Sequence, residues 1–72
     1  AKCKETLDQC TVKLQAEPDN VELLLARAKA YICEGREFEA LYDYDQVIRL
    51  RPGSKEVLLA RARLRSKVGL DQ

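Results

Sequence analysis

The fold of this chain is decided by residues 21–54, which read VELLLARAKAYICEGREFEALYDYDQVIRLRPGS. Apolar residues recur at helical spacing on both sides of Gly35, and Pro52-Gly53 ends the stretch. This spacing predicts two amphipathic helices, Val21–Glu34 and Arg36–Leu50. Gly35 lies between them and is expected to end the first helix, because glycine readily adopts the left-handed conformation found at many helix ends.

Part of this stretch returns 34 residues later in the chain. Six residues of the first predicted helix reappear unchanged: Glu22, Leu24, Leu25, Ala26, Arg27 and Ala28 recur as Glu56, Leu58, Leu59, Ala60, Arg61 and Ala62. Pro18 and Pro52 have the same offset, and each precedes one of the two segments. A fixed period of this size is typical of stacked helical repeats.

Two further helices are expected on either side of residues 21–54. Lys2–Ala16 has apolar residues on one face, and Pro18 ends it, with Asp19 or Asn20 able to cap the next helix. A helix from Lys55 to Lys67 or Val68 follows Ser54, a potential N-cap, and Gly69 closes it, so that residues 70–72 should fray. Short loops imply antiparallel neighbours. The sequence therefore predicts an all-α fold of four antiparallel helices.

Composition excludes several classes of protein. The chain has 72 residues, of which 46% are hydrophobic and 35% charged, as expected for amphipathic helices rather than for a disordered chain. It has no apolar run long enough to span a membrane and no signal-peptide core near its start. It also lacks an initiator methionine, so we expect a segment of a longer protein. Three cysteines, an odd number, suggest unpaired thiols and a reducing, cytoplasmic location.

Neither an enzyme nor a metal site is expected from these residues. Cys3, Cys10 and Cys33 could be considered as zinc ligands, but the chain has no histidine and no CxxC pair. A cysteine nucleophile would also lack a histidine base. Cys10 is expected in the core as a small hydrophobic residue. No cofactor is predicted.

Charge is distributed unevenly along the chain. Residues 1–48 hold six Lys/Arg against ten Asp/Glu, a net −4, whereas residues 49–72 hold seven against two, a net +5. The basic C-terminal helix could bind nucleic acid phosphates. That alternative is disfavoured because no aromatic residue is interleaved to stack on bases.

The pattern resembles the tetratricopeptide repeat family, whose 34-residue unit is a helix–turn–helix. Counting Val21 as the first position of the repeat, the residues that match are Leu24, Ala28, Tyr31, Gly35, Ala40, Tyr44 and Pro52. The departures are Arg27 and Val47, where the family usually has Leu and Ala, and Phe38, an aromatic displaced by one position. The resemblance implies an α-solenoid with one complete repeat at 21–54. Residues 1–20 would be the second helix of a preceding repeat, and residues 55–72 the first helix of a following one.

The resemblance also implies a binding surface, because the first helices of such repeats line a concave groove that holds peptides. The positions that match this groove are Glu22, Leu25, Lys29, Ile32, Cys33, Glu56, Leu59, Arg63, Ser66 and Lys67. Leucines at two of these positions and cations at three predict a partner protein or peptide with acidic and apolar residues. The function implied is protein–protein interaction, as a scaffold or a co-chaperone-type adaptor.

Some family members hold a C-terminal carboxylate with a clamp of asparagine and basic side chains. No asparagine stands at any of the clamp positions, and Glu22 and Glu56 would repel a carboxylate. The residues at those positions are Leu25, Lys29, Glu22, Ala26, Leu59, Arg63, Glu56 and Ala60. A clamp is therefore not expected. A purely structural segment of a longer solenoid remains an alternative. Because repeat arrays usually need three or more units, we expect an isolated chain to be marginally stable or to self-associate through its terminal helices.

Overall fold

A computed structural model describes residues 2–69, which form four α-helices joined by short turns. In chain order these are α1 (Lys2–Ala16), α2 (Val21–Cys33), α3 (Glu37–Leu50) and α4 (Lys55–Val68). Each helix packs against the next one along the chain, and the molecule measures 34 × 28 × 15 Å. Residues 2–69 contain no strand, so the all-α prediction is confirmed. The expected fraying of residues 70–72 lies outside the described residues.

The helix ends follow local chemistry. Asn20 caps α2, and its side-chain oxygen accepts a hydrogen bond from the Leu23 N–H at 3.3 Å. Helix α2 ends at Cys33 and α3 begins at Glu37, so Glu34 and Arg36 lie outside the helices predicted to contain them. Ser54 precedes α4 as expected, but its side chain makes no capping hydrogen bond.

The turn between α2 and α3 needs a residue with positive φ, and Gly35 supplies it at +76°. The Gly35 N–H donates to the Ile32 carbonyl and the Arg36 N–H to the Tyr31 carbonyl, at 3.0 and 2.8 Å. These are the two bonds of a Schellman motif, which satisfies carbonyls left unpaired at the helix end. The glycine therefore sets the point where the hairpin reverses.

The core runs through all four helices and is tightest between α2 and α3. Ala28 and Ala40 are both fully buried, and their small side chains let the two helices approach closely. The other buried apolar residues around them are Leu14, Val21, Leu24, Leu41, Tyr44, Val47, Val57 and Leu64. Cys10 is buried as predicted.

Phe38, the displaced aromatic of the repeat pattern, is not part of this core. Its side chain is 61% exposed, because Leu41 and Tyr44 carry the buried face of α3 and Phe38 lies beside it. Arg65 is also exposed, on α4. Phe38 and Arg65 both line an open depression between α3 and α4.

A charged residue is buried in the hairpin. Asp43 on α3 is completely buried, and both of its carboxylate oxygens accept hydrogen bonds from Arg27 on α2. The Nε donates at 2.8 Å and Nη2 at 2.6 Å, a bidentate pair. Hydrogen bonding to Asp43 raises the pKa of Arg27 above its ordinary value. Thus Arg27, which departs from the usual apolar residue of the family, is matched by Asp43.

A disulfide joins Cys3 at the start of α1 to Cys33 at the end of α2, with 6.2 Å between their Cα atoms. The expectation of three unpaired cysteines was therefore wrong. The two cysteines are 30 residues apart in sequence, but the antiparallel packing of α1 on α2 brings them to the same end of the helix pair. With one disulfide formed, the cysteine count no longer supports a cytoplasmic location.

Candidate peptide-binding groove

A cavity of about 280 Å³ opens between α2 and α4, and α3 contributes to its lining. Its walls contain three of the groove residues predicted from the sequence, Ile32, Arg63 and Lys67. They come together because α2 and α4 both pack on α3, which leaves the two helices side by side. The remaining wall residues are Tyr44, Ala60 and Leu64.

The cavity combines an apolar floor with a basic rim. Tyr44 and Leu64 form the floor and are each only 5% exposed. Burial raises the pKa of Tyr44 above its ordinary value, so its hydroxyl stays protonated at neutral pH. At the rim, the Lys67 ammonium pairs with Glu37 at 3.1 Å, whereas Arg63 makes no ion pair with any residue in the range 2–69. Arg63 is thus the cation most available to an incoming anion.

The other predicted groove residues are dispersed. Leu25 is half-buried against the core, and Leu59 is 53% exposed on α4. Lys29 lies at a separate cavity of about 350 Å³ between α1 and α2, beside Lys2 and Ala26. Three more predicted residues are exposed without lining either cavity: Glu22, Glu56 and Ser66.

Cys33 has a role that the groove prediction did not foresee. Its sulfur is bonded to Cys3, so it does not present a thiol to a ligand. It instead fixes the end of α2 against α1, close to the cavity that Lys29 lines with Cys3. Cys33 therefore contributes to the groove side of α2 by holding the end of that helix against α1 and not by contacting a ligand.

Three wall residues of the cavity were missing from the predicted set. Tyr44 matched the repeat pattern but was not among the predicted groove positions, although its edge reaches the cavity. Ala60 and Leu64 each follow a predicted groove residue, Leu59 and Arg63, by one position. A prediction that also included the residue directly after each groove position in the sequence would have identified both.

Residues 2–69 provide neither a membrane-crossing helix nor a cluster of three or more metal-binding side chains. Buried side-chain nitrogen and oxygen atoms in this part of the chain all have hydrogen-bond partners. The candidate site is therefore defined by shape and charge.

Comparison with curated proteins gives two short matches. The chain is 37% identical over 65 residues to the tetratricopeptide repeat and J domain-containing co-chaperone DNJ1 of Fusarium oxysporum f. sp. lycopersici, covering 90% of this chain and 12% of that protein. It is 46% identical over 41 residues to DnaJ homolog subfamily C member 3 of Bos taurus, covering 57% of this chain and 8% of that protein. No protein-family model and no solved structure gives a significant match. The four-helix packing fits a tetratricopeptide-like unit, and the longer of the two matches is to a co-chaperone whose name includes that repeat.

Proposed function

We propose that this chain is a non-enzymatic protein-interaction module that binds a partner peptide in the cavity between α2 and α4. The similarity to tetratricopeptide co-chaperones supports a protein-interaction or co-chaperone adaptor role. The chain spans only about a tenth of the length of those relatives, so the adaptor role concerns this part of a protein and not a complete chaperone cycle.

The observation that carries the proposal is the chemistry of the cavity. Tyr44 and Leu64 provide an apolar floor, and Arg63 stands at the rim without an ion-pair partner in residues 2–69. An apolar side chain with a carboxylate next to it in the ligand would match both features. Burial of the apolar group would supply affinity, and the charge would mainly set specificity and association rate.

A free C-terminal carboxylate is a poorer ligand for this surface. Glu22 and Glu56 are exposed at two groove positions, and no asparagine stands at a clamp position. We therefore propose an internal segment of a partner protein, with glutamate or aspartate beside a leucine-sized residue.

The test uses fluorescein-labelled peptides in which Leu is followed by Glu, matched to peptides with Gln in place of Glu. We expect the acidic peptides to bind more tightly and Arg63→Glu to abolish this preference. Arg49→Glu is the control, because Arg49 is also exposed but lies on α3 outside the cavity. Equal binding of the Glu and Gln peptides, or equal loss in both variants, would refute the proposed site.

A second variant separates the two cavities. Charge reversal of Lys29 alone changes the cavity between α1 and α2 and leaves the cavity at Arg63 intact. If one extended peptide occupies both, Lys29→Glu and Arg63→Glu should each weaken binding and the double variant should weaken it further. Loss confined to Arg63→Glu would limit the ligand to the cavity between α2 and α4.

The nucleic-acid alternative has less support in the structure than in the sequence. Arg61 pairs with Asp45 at 2.8 Å and Lys67 with Glu37 at 3.1 Å, which reduces the positive charge that α4 offers to phosphates. A binding constant for single-stranded RNA that falls steeply with salt would restore that alternative.

The disulfide bears on the compartment. Disulfides persist in oxidising compartments and are rare in the cytosol. We therefore propose an oxidising compartment in place of the cytoplasmic location suggested by the cysteine count. Alkylation of protein taken directly from its cells, before any reductant is added, tests this: Cys3 and Cys33 should resist modification, and their labelling would contradict it.

A further inference from the structure

The rim of the cavity between α2 and α4 carries two cations, and only one of them is unpaired within residues 2–69. Arg63 and Lys67 are four residues apart on α4, so they lie one turn apart on the same side of the helix. Arg63 makes no ion pair, whereas the Lys67 ammonium lies 3.1 Å from a carboxylate oxygen of Glu37. A carboxylate of the chain itself therefore already occupies the second cationic position of the site.

Glu37 is held in place more firmly than the lysine that it contacts. Its side chain is 21% exposed, against 65% for Lys67. Glu37 is the first residue of α3, where the unpaired N–H groups of the helix start favour a negative charge whether or not the lysine is near. The cation next to it in sequence, Arg36, pairs with Glu39 at 3.0 Å. The charge of Glu37 therefore stays at the rim of the cavity when Lys67 turns away.

The effect of this arrangement depends on how many carboxylates a bound segment carries. A first carboxylate can pair with Arg63 without displacing any group of the chain. A second carboxylate reaches Lys67 only by replacing Glu37, so that one ion pair forms and another is lost. The displaced carboxylate of Glu37 remains close to the new one and repels it. A second acidic residue therefore adds little to affinity.

We propose that Glu37 is a specificity-determining residue of this site and limits its charge preference to one carboxylate of the ligand. The inference rests on the peptide site proposed above and states which acidic segments that site distinguishes. With Glu37 in place, an acidic run has no advantage over a single acidic residue beside a leucine. Interfaces commonly gain specificity in this way, from a charge that opposes the competing ligand.

The alternative is that Glu37 and Lys67 only tie α3 to α4. An exposed ion pair of this kind contributes little to stability, so unfolding experiments would not separate the two roles. The discriminating quantity is the ratio of affinities for ligands with one and two carboxylates, because a purely structural contact leaves that ratio unchanged.

The probes are three fluorescein-labelled peptides with blocked ends. The single-acid peptide contains Ser-Leu-Glu-Ser-Ser, and the two double-acid peptides contain Ser-Leu-Glu-Ser-Glu and Glu-Leu-Glu-Ser-Ser. In an extended segment, side chains two residues apart lie on one side at roughly 6–7 Å. This spacing is close to the helical turn of about 5.4 Å that separates Arg63 from Lys67. The two double-acid peptides cover both directions in which a segment can lie along α4.

Fluorescence anisotropy at physiological salt, where distant charges are screened, gives the affinities. The parent chain should bind all three peptides within about two-fold, since the exchange at Lys67 leaves little net gain. Glu37→Gln should raise the affinity for at least one double-acid peptide, relative to the single-acid peptide, by roughly three-fold, as for one exposed ion pair. Glu39→Gln is the matched control, because it removes the same charge from the same turn of α3 but from a residue paired with Arg36. Adding Lys67→Gln to Glu37→Gln should return the ratio to that of the parent.

Three results would overturn the role of Glu37. One is a ratio that is the same in the parent and in Glu37→Gln, and another is a rise that Glu39→Gln reproduces. The third is a rise that persists when Lys67→Gln is added. If these occur while Arg63→Glu still weakens the single-acid peptide, the peptide site stands without a role for Glu37. If the single-acid peptide does not bind, or is insensitive to Arg63→Glu, the site and the role of Glu37 are both wrong.

Discussion

Replacing Arg27 with leucine would leave the carboxylate of Asp43 buried without its counter-ion. Asp43 is fully enclosed, and Arg27 supplies both of its side-chain hydrogen bonds. The reverse change, Asp43→Ala, leaves the arginine unpaired, but the Arg27 side chain is 17% exposed and can turn towards water. The two single variants should therefore be unequal, and Arg27→Leu should be the more damaging.

The magnitudes follow from the burial of the two groups. Removing one partner of a buried ion pair costs about 3–5 kcal/mol, which is the range expected for Arg27→Leu. Loss of hydrogen bonds to a charged group that can still reach solvent costs about 1.5–3 kcal/mol, as expected for Asp43→Ala. The double variant removes both charges and should lie within about 1 kcal/mol of the parent, since well-packed apolar residues often replace a buried pair at little cost.

Urea unfolding followed by circular dichroism, under conditions that keep the disulfide intact, gives these free energies. A domain of this size has roughly 4–11 kcal/mol of stability, so the loss expected for Arg27→Leu is a large fraction of the total and should lower the urea midpoint substantially. Arg61→Leu is the matched control, because it removes the exposed ion pair with Asp45 and should cost about 0.5 kcal/mol.

The additivity of the two changes decides whether the reasoning holds. If the double variant loses the sum of the two single effects, Arg27 and Asp43 do not act as a coupled pair. If Asp43→Ala lowers the free energy of unfolding by more than Arg27→Leu does, the unpaired buried carboxylate is not the main cause of the destabilisation.

Three further predictions concern a cap, the disulfide and a buried tyrosine. Asn20→Ala should lower the free energy of unfolding by about 1 kcal/mol because it removes a capping bond, whereas Ser54→Ala, at a cap without that bond, should change it by a few tenths at most. Replacing Cys3 and Cys33 together by serine should cost about 3–4 kcal/mol through the added freedom of the unfolded chain, and a reductant should produce the same loss in the parent only. The raised pKa of Tyr44 means that the unfolded state loses its phenolic proton first as the pH rises through the ordinary value of 10.0. Unfolding titrations should therefore show stability that is complete below that pH and declines above it, and the decline should be shallower in Tyr44→Phe; an identical slope in both proteins would contradict the assignment.

Much of the fold was predictable because it depends on local and periodic features of the sequence. Helical spacing of apolar residues, Gly35 at the hairpin and the breaks at Pro18 and Pro52 set four helices within one residue of their observed ends. The apolar stripe of α2 also indicated which of its faces is inward, and the burial of Leu24 and Ala28 confirms it. Each of these signals acts over a few residues or repeats with a fixed period, and can therefore be read along the chain.

The sequence predicted which positions belong to the groove, but not which of them lie together in one cavity. The repeat pattern gave Ile32, Arg63 and Lys67, which the structure brings to one cavity, but it also gave Lys29, which lies at another. Which of these residues share a space depends on the angle and separation of α2 and α4. Those are set by packing on α3, and no spacing along the sequence encodes them.

The sequence by itself determined the number of helices, the turn at Gly35, the 34-residue period and the resemblance to a helical-repeat family. Only the tertiary structure decided three pairings: Arg27 with Asp43, Cys3 with Cys33, and Arg61 with Asp45. Each joins residues on different helices, at separations of 16 or 30 positions that match neither the helical turn nor the 34-residue repeat. Such contacts exist only once the helices pack antiparallel at a particular register, and that register is a property of the assembled core.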